Sequence, residues 1–321
     1  MSTYLVQSLN DAVANEFFRN PIYPGIADAI QEAQTFYEFI PFLAVKGSSI
    51  GVQQNTDQDL SKFVADGGDL DVSGANTPLT TAVRNYNIKS IAGLANVGSV
   101  SGAAATANGV DLMAVAIQAK SRDIARKVFK QVVQGDLAGG NGDQNGFRGL
   151  NNFYAAGGEL NGVNEITPAA STDDIADCLD QVLNTITAKD PDFIMMNGTM
   201  LNKFTARMRA SGAGYNYVTS PITNRNLLSY QGVPIFRNDN LKVHDTDQHD
   251  IYAGCFEDGG NTGIAMIYPE GTPAGIEVVD LGESEKYLGR VSRVAQHTAL
   301  AVMNSEGLAK ITVDTGTNTA L

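Results

Sequence analysis

The chain has 321 residues, 43% of them apolar and 18% charged, which suits one large or two modest globular domains with a sizeable core. Its formal net charge of −13 argues against nucleic-acid binding through a general basic surface, although it leaves room for a local basic patch. The only cysteines, Cys178 and Cys255, lie far apart, which excludes a disulfide framework or a cysteine-built zinc site and predicts two buried free thiols.

Met1 to Asn10 has neither a basic leader nor an apolar core segment, so no signal peptide is expected. No run approaches ~18 uninterrupted apolar residues, so none is expected to span a membrane. A soluble protein made in a reducing cytoplasm follows. Residues 1–40 read as an arm with short helical pieces, one over Val13 and Phe17–Phe18, broken at Pro21 and Pro24, and one over Ile26, Ile30, Ala33 and Phe36. The apolar run Phe39 to Val45 predicts a buried strand or strand pair.

From Gly47 to Pro78 the chain turns polar and glycine-punctuated, with apolar pieces at Ile50–Val52, Leu60–Val64 and Leu70–Val72 and a turn signal at Asp66-Gly67-Gly68. Strands with no hydrophobic face of their own predict a long hairpin projecting from the body, which needs cover from elsewhere. A mobile surface insertion is the plainer alternative. Asn85 to Lys89 alternates polar and apolar, as a half-buried strand does.

The longest periodic stretch is 108–134, where Val110, Met113, Ile117, Ile124, Val128 and Val132 fall on one helical stripe. Asn108 is placed as its N-cap, Asp111 in its first turn, Arg126, Lys127 and Lys130 towards its end, and Gly135 as its stop. Such a helix runs about 37 Å. A second helix is expected over 171–188, capped by Ser171 or Thr172 with Ile175, Leu179, Val182, Leu183 and Ile186 inward, and ended by Asp190-Pro191. Phe193–Met196 reads as a buried strand. Asn197-Gly198-Thr199 turns it into a third helix, with Met200, Leu201, Phe204 and Met208 inward and Arg207 and Arg209 outward. Short strands follow at 232–236, 251–256 and 263–268, then at 285–303 and 308–313. Helices grouped between strands give an α+β fold rather than a βαβ alternation.

Motifs that carry chemistry are few. Gly47-Ser48-Ser49-Ile50-Gly51 has the G-x-S-x-G spacing of a nucleophile elbow, with His297 downstream, and makes a serine hydrolase using Ser49 a remote alternative. The elbow requires a helix after the serine, and Gln53 to Asp57 has no apolar period. Asn141, Asp143, Asn145 and Gly146 match part of a calcium loop, but Asn152 stands where the bidentate Glu belongs, so a surface turn is expected. His244 and His249 among Asp245, Asp247 and Asp250 form only a weak metal pattern. No catalytic, metal or cofactor residue is assigned.

The order of these pieces resembles the major capsid proteins of tailed bacteriophages, the Hong Kong 97 fold. The carrying features are the arm, the hairpin with its turn in Phe63-Val64-Ala65-Asp66-Gly67-Gly68, and the long helix running into Gln134-Gly135-Asp136, with Phe147-Arg148-Gly149-Leu150 beyond. These look like the family's "GDG…GxxGL" passage. Phe193 to Asn197 with the following helix looks like its "MNP…" segment, though Gly198 stands where proline is usual. Leu228-Ser229-Tyr230-Gln231-Gly232-Val233-Pro234-Ile235 looks like its "LLGxPV" strand, with Tyr230-Gln231 an unusual filling.

The resemblance implies an N-terminal arm (1–40), an extended hairpin or E-loop (41–80), and a peripheral domain with the spine helix (81–149). An axial domain (150–285) and C-terminal strands completing the peripheral domain (286–321) follow. It implies a non-enzymatic shell subunit that self-assembles in hexamers and pentamers into an icosahedral virion capsid in the host cytoplasm, around double-stranded DNA held without sequence-specific contact. The implied partners are a separate scaffolding protein, since no long pre-segment precedes the arm, a portal, and optionally a decoration protein. An encapsulin-like compartment shares the fold and is the main alternative. Lys62, Phe63 and Asp66 on the hairpin and Phe17 and Phe18 on the arm are the candidate inter-subunit contacts. Lys62 is the obvious donor for a crosslink of the family type, but no acceptor is assignable and no crosslinking is expected.

Overall fold

The computed structural model of the chain describes residues 6–7, 36–55, 81–107, 111–135, 145–155, 158, 160–166, 175–212, 216–219, 224–241, 243–244, 248–283 and 288–314. Two sheets and a separate ladder organise them, with helices α1 (Phe36–Phe39), α2 (Ser99–Ala107), α3 (Leu112–Gln134), α4 (Leu150–Tyr154), α5 (Ile175–Thr185) and α6 (Gly198–Ala210). The class is α+β, as expected.

The first sheet holds β1 (Val6–Gln7), β2 (Phe42–Val45), β5 (Lys89–Gly98), β13 (Ile264–Pro269), β14 (Ile276–Glu283) and β15 (Gly289–Val302). Its order is β1-β2-β13-β15-β14, with β5 also paired to β15. The second holds β6 (Glu165–Ile166), β7 (Phe193–Met196), β8 (Asn216–Thr219), β9 (Asn226–Tyr230), β10 (Val233–Arg237), β11 (Val243–His244), β12 (Gln248–Gly254) and β16 (Leu308–Asp314). Its order is β6-β16-β12-β7-β10-β9-β8, with β11 on β12. The ladder is β3 (Ser49–Asn55) against β4 (Thr81–Asn87).

Strand pairing distributes the expected segments between the sheets. Within 150–285 the strands up to β12 lie in the second sheet, whereas β13 and β14 pair in the first. Within 286–321, β15 lies in the first sheet and β16 in the second.

Helix α3 is the predicted long helix, shortened at its start. Its N-cap is Asp111, whose Oδ1 accepts from Met113 N at 2.9 Å and Ala114 N at 3.2 Å. This corrects the placement of the cap at Asn108, which lies outside the described residues. One carboxylate oxygen satisfying two orphan amides defines the start. Before it, Ser99–Ala107 form a separate helix, α2. Ile117, Ile124, Val128 and Val132 are buried, joined by Ser121, Ala125, Phe129 and Val133. The stripe is wider than the large apolar residues alone suggest.

At the other end Gly135 N donates to Gln131 O at 2.8 Å. A Cβ on Gly135 would lie 2.4 Å from Phe147 O, so the glycine permits the segment at Phe147 to lie against the helix end. One core surrounds α3 and the first sheet, and another lies between α5, α6 and the second sheet. Both cysteines are buried free thiols, and burial pushes Cys255 up to about 11.

Candidate assembly surface

The hairpin begins as a register. Ser49 pairs with Asn87 and, at the far end of the ladder, Asn55 with Thr81, so residues 56–80 connect the legs. Ile50, Val52 and Tyr86 are buried while Val83, Asn85 and Asn87 are exposed, the period-two pattern of a half-buried ladder. The Tyr86 ring stands edge-on to Phe153 with centroids 6.1 Å apart. The root of the hairpin is therefore covered by its own body. A groove of about 360 Å³ beside it is lined by Arg84, Asn87 and Lys89 on one side and Phe147 and Arg148 on the other. Lys62, Phe63, Asp66, Phe17 and Phe18 all lie outside the described residues.

A rim that sequence reasoning missed lies at the end of the first sheet where α2 begins. Leu288 is 84% exposed and Val100 78%, and Ser99 N donates to Leu288 O at 3.2 Å, which sets the two side by side in the chain path. Leu94, Leu281 and Val115 are also exposed. Leu94 is opposite Arg293, and Leu281 falls in the β14 bulge between Asp280 and Gly282. Asp280 is ion-paired with Arg290 beside this rim, which holds its carboxyl below the usual range. Exposed large apolar side chains that adjoin, as Leu288 and Val100 do, mark a contact surface. The signal available in the sequence was only a leucine next to Gly289 after a charged stretch.

The same sheet carries a polar chain. Ser90 Oγ lies 2.7 Å from His297 Nδ1, and His297 Nε2 lies 3.3 Å from Glu277 Oε2, which Arg293 Nη2 also approaches at 3.4 Å. Ser90 sits within a strand, not on a strand-to-helix turn. Ser49 opens β3 and the chain continues as strand to Asn55, so the elbow geometry is not formed and the Ser49 hydrolase reading is set aside. His249 is buried on β12, with its Nδ1 2.6 Å from Asn197 Nδ2. Among the described residues no group of three His, Cys, Asp or Glu side chains is placed to hold a metal, and no helix is long and apolar enough to cross a membrane.

The two departures from the family pattern have local causes. Gln231 and Gly232 both have positive φ, 50° and 87°, between paired Tyr230 and Val233, which is a two-residue hairpin turn. Tyr230 Oη and Gln231 Nε2 each donate to Asp180 Oδ1 at 2.7 Å, tying the turn to α5. Gly198, where proline would offer no N–H, donates its amide to Asp239 Oδ1 at 3.0 Å, and Arg237 Nε donates to the same carboxylate. The Arg237 hydrogen bond, with help from the Gly198 amide, holds the Asp239 carboxyl below the usual range. A depressed folded value contributes stability that is complete above the unfolded carboxylate value, about 3.9, and lost as pH falls through the folded one. Asp239→Asn is expected to melt below the wild type at neutral pH, with the gap closing in strong acid. Melting temperatures of both proteins across pH check this.

No protein-family model matches the chain, and no curated protein matches by sequence. Solved structures match over most of both partners. The SrpI encapsulin complex of Synechococcus elongatus is 16% identical with a TM-score of 0.64, covering 89% of this chain and 90% of that one. The structure from Mycobacterium phage Bobi is 12% identical with a TM-score of 0.55, covering 88% and 89%. The satellite phage P4 procapsid, which includes a size determination protein, is 10% identical with a TM-score of 0.52, covering 90% and 98%. The chain thus shares, along nearly its whole length, the architecture of these encapsulin and phage structures. That architecture is the Hong Kong 97 fold.

Proposed function

We propose that the chain is the repeating subunit of a closed icosahedral shell, the major capsid protein of a tailed bacteriophage, assembled from hexamers and pentamers around double-stranded DNA. The observation that carries this reading is the adjoining exposed apolar pair Val100 and Leu288, at the end of the first sheet of a Hong Kong 97 fold. Such a pair is covered when further copies pack against it, and heterologous contacts that close make a shell. In this reading the first sheet with α3 is the peripheral domain and the second sheet the axial domain. Lys62, Phe63, Asp66, Phe17 and Phe18 are further contacts between copies. The shell acts in the virion without enzymatic chemistry or cofactor and is assembled in the host cytoplasm. Its partners beyond itself are a scaffolding protein and a portal, with a decoration protein optional.

A second reading, a cellular compartment of encapsulin type, is favoured by the TM-score of 0.64 to an encapsulin against 0.55 and 0.52 to two phage shells. Negative-stain microscopy of the purified full chain tests both. Particles on the order of tens of nanometres across are expected, and nuclease-protected double-stranded DNA in particles from the native source separates the first reading from protein-filled shells. A well-ordered monomer at every concentration defeats both.

A further inference from the structure

Helix α3 carries a charge opposite to that of the chain. Between Leu112 and Gln134 stand Lys120, Arg122, Arg126, Lys127 and Lys130 against the single carboxylate Asp123, in a protein of net charge −13. Lys120 and Lys127 lie 3.9 and 3.4 Å from Asp123 and share its charge. From Arg122 to Lys130 every exposed residue of the helix is a cation: Arg122, Arg126, Lys127 and Lys130. Arg122, Arg126 and Lys130 are four residues apart, so they follow one line along the helix at steps of about 6 Å.

Towards its C-terminal end this line opens on a pocket of about 240 Å³ between α3, the start of β5 and the turn at 145–147. Three ammonium groups, Lys89, Lys127 and Lys130, border it, and no carboxylate is among its lining residues. The neutral donors at its wall are engaged elsewhere. The Ser90 hydroxyl meets His297 at 2.7 Å, Thr298 Oγ1 donates to Ile267 O at 3.1 Å, and Gln131 Nε2 donates to Phe147 O at 2.8 Å. The charge left at the mouth is positive and asks for an anion.

The pocket by itself would serve one phosphate. The cations leading away from it need an anion that repeats. Phosphates of one DNA strand recur about every 3.4 Å along the duplex axis, so steps of about 6 Å meet one every second nucleotide or so. A protein partner would bring an apolar or aromatic centre to its interface, and the exposed residues between Arg122 and Lys130 offer it nothing but charge.

We infer that the Lys89–Lys127–Lys130 pocket and the exposed face of α3 seat the sugar–phosphate backbone of the enclosed nucleic acid, without reading its sequence. This rests on the shell reading and adds to it where the duplex touches an otherwise acidic subunit. The contact is electrostatic, so it weakens with salt in proportion to the cations engaged.

The test assembles the full-length chain in the presence of a short labelled DNA duplex over a salt series. Particles are then treated with nuclease, sized by negative stain, and the protected duplex is counted. Wild-type particles are expected to retain duplex, less as salt rises. The double variant Arg126→Ala/Lys130→Ala is expected to form particles of the same diameter that retain severalfold less. Its logarithmic salt slope should be shallower by about 0.9 for each cation removed. Lys203→Ala on α6 is expected to change neither quantity. Equal retention by the double variant overturns the inference and leaves the shell reading standing. Loss of particles in the double variant alone also overturns it, by making the stripe a contact between copies. Displacement of the duplex by inorganic phosphate at matched ionic strength overturns it in favour of a free-phosphate site. Failure of the wild type to form particles overturns both readings.

Discussion

Phe36→Ala is expected to lower the unfolding free energy of the chain by about 3–5 kcal/mol. Phe36 is 2% exposed on the single turn of α1 and lies where the major elements meet. Its ring centroid is 5.7 Å from Phe129 on α3, 5.8 Å from Phe193 on β7, 5.4 Å from Phe236 on β10 and 5.8 Å from Phe256. The contacts to Phe193 and Phe236 are edge-to-face, which adds to simple burial. Deleting the ring leaves a void bordered by one helix and two strands held by their own hydrogen bonds, so collapse into it is poor and the cavity cost remains. Phe36→Leu keeps most of the volume and is expected to cost clearly less. Denaturant unfolding of the unassembled chain measures both. A loss below about 1 kcal/mol for the alanine variant would mean that the surrounding rings close the gap, contrary to this packing.

Helix α3 was legible because helical burial is local: Ile117, Ile124, Val128 and Val132 announce the stripe within the segment that forms it. The start of α6 was legible for the same reason, since Asn197 Oδ1 accepts from Met200 N at 2.9 Å only three residues on. What the sequence hid depends on distant partners. Strand β5 reads as a run of small residues, and it becomes a ten-residue strand because β15 pairs along its whole length, from Lys89 with Thr298 to Gly98 with Gly289. The assignment of β14 to one sheet and β16 to the other likewise follows from pairings no local pattern encodes. The candidate contacts read from the hairpin and arm lie outside the described residues. The apolar rim and basic pocket instead come from segments that meet only in the fold: Lys89 on β5 shares the pocket with Lys127 and Lys130 on α3, and Gly93 on the same strand lies under the Lys120 side chain. A Cβ there would come within 2.9 Å of the Lys120 side chain.

The crossing between the sheets supplies the other large expected effect. The loop after β12 carries the chain from the second sheet to β13 in the first, and Glu257 is buried within it. Its Oε1 accepts from Gly259 N and Asn261 N, each at 2.8 Å, and its Oε2 from Thr262 N at 2.8 Å and Gly263 N at 3.3 Å. A carboxylate receiving backbone amides on both oxygens makes charge-assisted bonds, stronger than neutral ones. Glu257→Ala removes the acceptor and leaves amides in a half-buried turn with no partner, each worth about 1–3 kcal/mol where water cannot replace it. A total loss of about 3–5 kcal/mol is expected, in the range for breaking a buried charged network. Glu257→Gln preserves the shape but turns an NH₂ group towards amide donors, so it should recover only part of the loss. The readouts are the denaturation midpoint and hydrogen exchange at amides 259–263, which should quicken in the alanine variant before the strands on either side do. If those amides exchange at the wild-type rate and the midpoint holds, the neighbouring strands fix the crossing by themselves, and the carboxylate merely occupies a turn that β12 and β13 already impose.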